Sequence, residues 1–106
     1  GAGAATGSGT TIPILGFLLD VYLDYHASAP ASTHVTITDP TFGTIVAKVD
    51  NATDCRLAPR EALHDENAAA VGLYDLYPIN SALTLAVANS DALTDCVVVT
   101  LRWMTP

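Results

Sequence analysis

Over residues 15–26 the chain reads LGFLLDVYLDYH, and its side chains alternate. Leu15, Phe17, Leu19, Val21, Leu23 and Tyr25 take one parity; Gly16, Leu18, Asp20, Tyr22, Asp24 and His26 take the other. Successive side chains of a strand point to opposite faces, so the pattern predicts a long β-strand with one buried face. At about 3.3 Å per residue it would span about 40 Å, well beyond the usual strand of about 5–6 residues. A plate of that length packs on one side and meets solvent or a partner on the other.

The rest of the chain is punctuated at short intervals. Residues 26–32 (HASAPAS) form a small-residue connection with Pro30. Residues 33–38 (THVTIT) alternate, with Val35 and Ile37 facing in. Asp39-Pro40-Thr41-Phe42-Gly43 is a turn, because Pro presets φ and Gly permits a left-handed exit. Residues 44–49 (TIVAKV) are β-branched and predict a third strand, followed by a polar loop over 50–54. CRLAPREALH at 55–64 is ambiguous; a short strand over 58–63, then a loop or helical turn over 65–70, fits it best. Residues 72–79 (GLYDLYPI) predict a strand interrupted by Pro78, hence near an edge. Strands follow over 83–88 and 96–104, with a turn at 89–92. In the last strand Val97, Val99, Leu101 and Trp103 share a face.

About seven strands and no confident helix define an all-β chain: a single-domain β-sandwich or flattened barrel with mainly antiparallel pairing. The 106 residues suit one domain, and the apolar half of the composition is mostly Ala, Val, Leu and Ile, which fits the thin interior between two sheets. Residues 1–11 (GAGAATGSGTT) hold four of the seven glycines and no apolar period. They read as a flexible arm, either a tail or a segment that orders on a neighbour, leaving 12–106 as the β-sandwich domain.

Net charge is −7, from four basic and eleven acidic residues. That balance disfavours nucleic acid and anionic membranes as partners. No apolar run reaches the roughly 18 residues of a transmembrane helix, and no basic leader followed by an apolar core is visible. The sequon Asn51-Ala52-Thr53 is therefore not expected to carry a glycan. Cys55 and Cys96 are too few for a disulfide scaffold; free thiols, an internal bridge and bridges between chains all remain open.

Chemistry-bearing residues are sparse. Asp20, Asp24 and His26 share a strand face, but neighbours on that face stand about 7 Å apart, too far for all three to reach one ion. His64-Asp65-Glu66 gathers titratable groups without a nucleophile in reach, and no nucleophile elbow, P-loop or metal motif occurs, so no enzyme and no cofactor is expected. Arg56, Arg60 and Arg102 are three of the four cations, either scattered surface charges or partners for carboxylates on another subunit. Tyr22, Tyr25, Tyr74 and Tyr77 read as rings at a core edge or interface, with a sugar-stacking platform as the alternative.

Three stretches carry a family resemblance: YLDYH at 22–26, PASTHVTIT at 30–38, and PREALHD at 59–65 followed by YDLYPI at 74–79. In this order they make residues 18–103 resemble small β-rich structural proteins of tailed-bacteriophage head-gene clusters. The Gly/Ala-rich start, Cys55 and the alanines 68–70 depart from that pattern. The resemblance implies a capsid decoration, or cement, protein on the virion surface, a homotrimer whose partner is the major capsid protein. Exposure arguments then nominate Thr10, Thr11, Ile12, Pro30, Arg60, His64, Asp65 and Tyr74 as subunit or capsid contacts. The alternatives are another virion component (head fibre, neck or tail) and a carbohydrate-binding β-module.

Overall fold

A computed structural model describes residues 5–41, 43–90 and 96–105. It is an all-β sandwich of two antiparallel sheets, with no helix among the described residues. The strands are β1 (Ala5–Thr10), β2 (Ile14–Tyr25), β3 (His34–Asp39), β4 (Gly43–Lys48), β5 (Cys55–Leu57), β6 (Arg60–His64), β7 (Ala70–Ser81), β8 (Thr84–Ser90) and β9 (Val97–Met104).

One sheet runs β1-β8-β3-β4. The other is built on β2. Val21 pairs with Leu57 of β5 and with Leu101 of β9, and Phe17 pairs with Pro78 of β7 and with Met104 of β9. A residue has one neighbour on each side, so β9 lies along one edge of β2 while β7 and β5 share the other, end to end. β6 extends this sheet by pairing with the first half of β7.

The core lies between the sheets. β2 supplies Ile14, Leu18, Val21, Leu23 and Tyr25; β3 and β4 answer with Val35, Ile37 and Val46; Ile79 and Leu83 close one end. Full burial of a Leu or Ile is worth about 1.5–3 kcal/mol, so β2 anchors the fold.

The buried face of β2 is not the one that simple alternation predicts. Ile14, Gly16 and Leu18 point inward in the first half, and Val21, Leu23 and Tyr25 in the second. Leu15 and Phe17, expected inside, are exposed. The cause is a β-bulge: Leu18 pairs with Trp103 and Asp20 with Arg102, leaving Leu19 as the extra residue. Gly16 sits where the end of β9 crosses closely. Its φ is +155°, and a Cβ there would overlap the Met104 carbonyl oxygen.

Other elements follow the sequence more closely. The turn at Asp39 forms: the Thr41 N–H donates to Asp39 Oδ1 at 2.7 Å, and Gly43 leaves with φ +88°. Phe42, in that turn, and residues 91–95, where the turn at 89–92 ends, lie outside the described residues. The ambiguous stretch 55–64 divides at Pro59, since β5 pairs with β2 and β6 with β7. Pro78 falls where β7 has one partner strand, as its missing N–H requires. The count among the described residues is thus nine strands, the additional ones being β1 and the division of 55–64.

β1 corrects the expectation of an arm without regular structure. Residues 5–10 pair with β8, and the Thr11 N–H donates to the Leu83 carbonyl at 2.9 Å. Backbone hydrogen bonds make this strand, which is why no apolar period announced it. Residues 1–4 of the expected arm lie outside the described residues.

Candidate interaction surface

Three features of the surface stand apart: the ion cluster at the bulge, a projecting hairpin, and an apolar groove.

The bulge turns Asp20 to the outer face of the sheet, in register with Arg102. Arg56 reaches the same place from β5 on the other side of β2. Arg102 Nε donates to Asp20 Oδ1 at 2.7 Å, Arg102 Nη2 donates to Oδ2, and Arg56 Nε donates to Oδ2 at 2.7 Å. Arg60 Nη1 donates to the Leu19 carbonyl at 3.0 Å, in the gap between β7 and β5. The two guanidiniums that pair with Asp20 stay 63–65% exposed, while the carboxylate beneath them is only 4% exposed. The hydrogen bonds from Arg102, then those from Arg56, hold the Asp20 carboxyl well below the usual carboxylate range. The three arginines assemble within one chain, because the bulge offers them a carboxylate and a carbonyl.

The hairpin of β6 and β7 projects from the sandwich. The radius of gyration is 15.0 Å and the longest extent 49 Å, against about 13 Å for the radius of a compact chain of about 100 residues. From Ala70 to Asp75 every residue of β7 is exposed. Leu73 and Tyr74 are 63% and 67% exposed, beside the irregularity where three residues of β7, among them Gly72 at φ +75°, face Leu63 alone. Val71 and Leu63 add to this surface. The turn is well made nonetheless. Asp65 Oδ1 accepts from the N–H groups of Asn67 and Ala69 at 2.9 and 3.0 Å, and Ala68 takes a φ of +61°.

The groove, of about 300 Å³, lies between β4 and the link from β5 to β6. Ile45, Val46, Leu57 and Pro59 give it apolar walls, and Lys48 stands at its margin.

Of the nominated contacts, Arg60, His64, Asp65 and Tyr74 fall in the hairpin. Arg60 secures its base and Asp65 its turn; His64 and Tyr74 are exposed. Thr10, Thr11, Ile12 and Pro30 lie elsewhere. Thr10 ends β1 opposite Thr84, and Thr11 Oγ1 accepts from the Leu83 N–H at 2.9 Å. Ile12 is exposed, and the Pro30 carbonyl accepts from Thr33. Leu63, Val71 and Leu73 were missed. Their signal was available: 71–76 is apolar on both parities, which a strand with one solvent face is not.

The four tyrosines form no platform. Tyr25 is buried and Tyr77 half-buried toward the core, while Tyr22 and Tyr74 point outward from separate places. No cluster of three or more His, Cys, Asp or Glu suited to a metal occurs among the described residues. His26 instead accepts from the Ser28 N–H at its Nδ1. Cys55 and Cys96 are free. They flank β2 from opposite sides, and two strand spacings of about 4.8 Å exceed the roughly 7 Å limit for bridged Cα atoms. The possible internal disulfide is therefore corrected to two thiols, one of them 2.8 Å from Ser90 Oγ.

The chain matches no protein-family model, no curated protein and no solved structure.

Proposed function

We propose that this protein is a virion structural component of the capsid-decoration type, a rigid sandwich that binds the assembled major-capsid lattice and stabilises it. The observation that carries this reading is the projecting hairpin, on which Leu63, Val71, Leu73 and Tyr74 are all exposed. An isolated soluble domain rarely exposes such a surface, whereas an assembly subunit buries it. The family resemblance of residues 22–26, 30–38, 59–65 and 74–79 directs the reading to the phage head. The mechanism is passive. A ligand that binds only the assembled state stabilises it by mass action, and symmetry multiplies a modest contact into avidity. The acidic surface keeps decorated particles from sticking to one another.

The test is to add purified protein to DNA-filled heads that lack it. Co-sedimentation with the heads and a rise in their heat resistance are expected, together with its detection in intact particles by mass spectrometry. Heads that neither bind the protein nor gain stability, and particles without it, refute the reading.

A further inference from the structure

The apolar hairpin requires a covering surface, and the charge distribution selects one. Beyond Arg60 the hairpin carries Glu61, Asp65, Glu66 and Asp75 and no Lys or Arg. Two hairpins laid face to face would bring these carboxylates together, and apposed like charges oppose association. The hairpin's partner must therefore offer apolar surface and a positive charge. Arg56 and Arg102 pair with Asp20, and Arg60, which makes no ion pair among the described residues, belongs to the base of the hairpin itself. The fourth cation is Lys48, which makes no ion pair among the described residues and stands beside the groove of Ile45, Val46, Leu57 and Pro59. The backbone agrees. β4 is paired only with β3, and β6 only with β7, so each presents a free strand edge among the described residues.

We propose that the β6–β7 hairpin of one copy seats in the β4 groove of a second copy, edge to edge, with its acids toward Lys48. This deepens the structural-protein reading and rests on it. Each chain gives a hairpin and accepts one at adjacent places, since Pro59 lines the groove and Arg60 begins β6. Such an interface is heterologous, and around a rotation axis it closes into a ring.

Sedimentation equilibrium of the full chain tests this. Wild-type protein should have a multiple of the 11.0 kDa chain mass. Lys48→Glu, which spoils the groove, and Leu73→Asp, which spoils the hairpin, should each weaken association by about a hundredfold with an unchanged circular-dichroism spectrum. Mixing the two should restore one interface and yield a pair, because Lys48→Glu keeps a sound hairpin and Leu73→Asp a sound groove. Glu66→Lys added to Lys48→Glu should recover the wild-type mass. A monomeric wild type, an assembly that survives both single changes, or a mixture that forms no pair overturns the proposal. Monomers that still bind heads would end the ring and leave capsid decoration standing; a ring that ignores heads would do the reverse.

Discussion

Asp20 holds the outer face of the β2 sheet together through a single buried carboxylate shared by two arginines. Its pKa is depressed in the fold, so its contribution is complete above the unfolded value of about 3.9 and is lost as pH falls through the folded value. Asp20→Asn should therefore lower Tm at neutral pH, and the gap from wild type should narrow as pH falls below about 4. Thermal unfolding of both proteins across that range checks this; a gap that stays constant would show that the charge is immaterial. Gly16 gives a second residue-scale prediction. Gly16→Ala forces a Cβ into the Met104 carbonyl at a left-handed φ and should cost about 1–3 kcal/mol in urea denaturation. Gly43→Ala, at φ +88° but facing open space, should cost only the backbone strain, about 1 kcal/mol. Comparing the two separates crowding from conformation.

Among elements, legibility in the sequence follows how many side chains specify each one. β2, β3 and β9 were readable because alternation repeats over enough residues, and the Asp39 turn because Pro40 and Gly43 punctuate it. The bulge was not. Leu18 and Leu19 are both apolar, so the phase of the alternation slips without any change in composition. The inner face was consequently misread for Leu15 and Phe17, and the arginine cluster that depends on the slip could not be anticipated. Half of the nominated contacts converge on the hairpin because exposed loop residues and the tyrosine happened to flank it. Its apolar members were legible, since 71–76 carries apolar residues on both parities. The turn supplies the prediction at this scale. Asp65→Ala removes the acceptor of two backbone N–H groups and should weaken the hairpin locally by about 1 kcal/mol. Faster hydrogen exchange over 64–70, with global stability nearly unchanged, is the expected outcome; uniform loss across both sheets would contradict it.

For the molecule as a whole, elongation and charge work together. The projecting hairpin increases exposed surface, and under the proposed assembly the net charge of −7 keeps that surface solvated until a second copy covers it. Assembly that buries the hairpin stabilises the folded chain by mass action, so Tm should rise with protein concentration. Leu73→Asp should make Tm independent of concentration, and calorimetry over a dilution series distinguishes the two behaviours. A wild-type Tm that ignores concentration would mean that the hairpin stays bare.

β1 carries one more consequence. Its residues are Ala, Thr, Gly and Ser, and five of the six are exposed, so no knob of hydrocarbon fixes its alignment on β8. The irregularity between Ala5 and Gly7 already breaks the ladder there. A ribbon stitched on by main-chain bonds alone can be peeled back and re-laid one step along, or onto the same strand of a neighbouring molecule, without disturbing anything inside. β1 is thus a weakly specified seam, and a peptide fused ahead of it should leave the inner faces of both sheets intact.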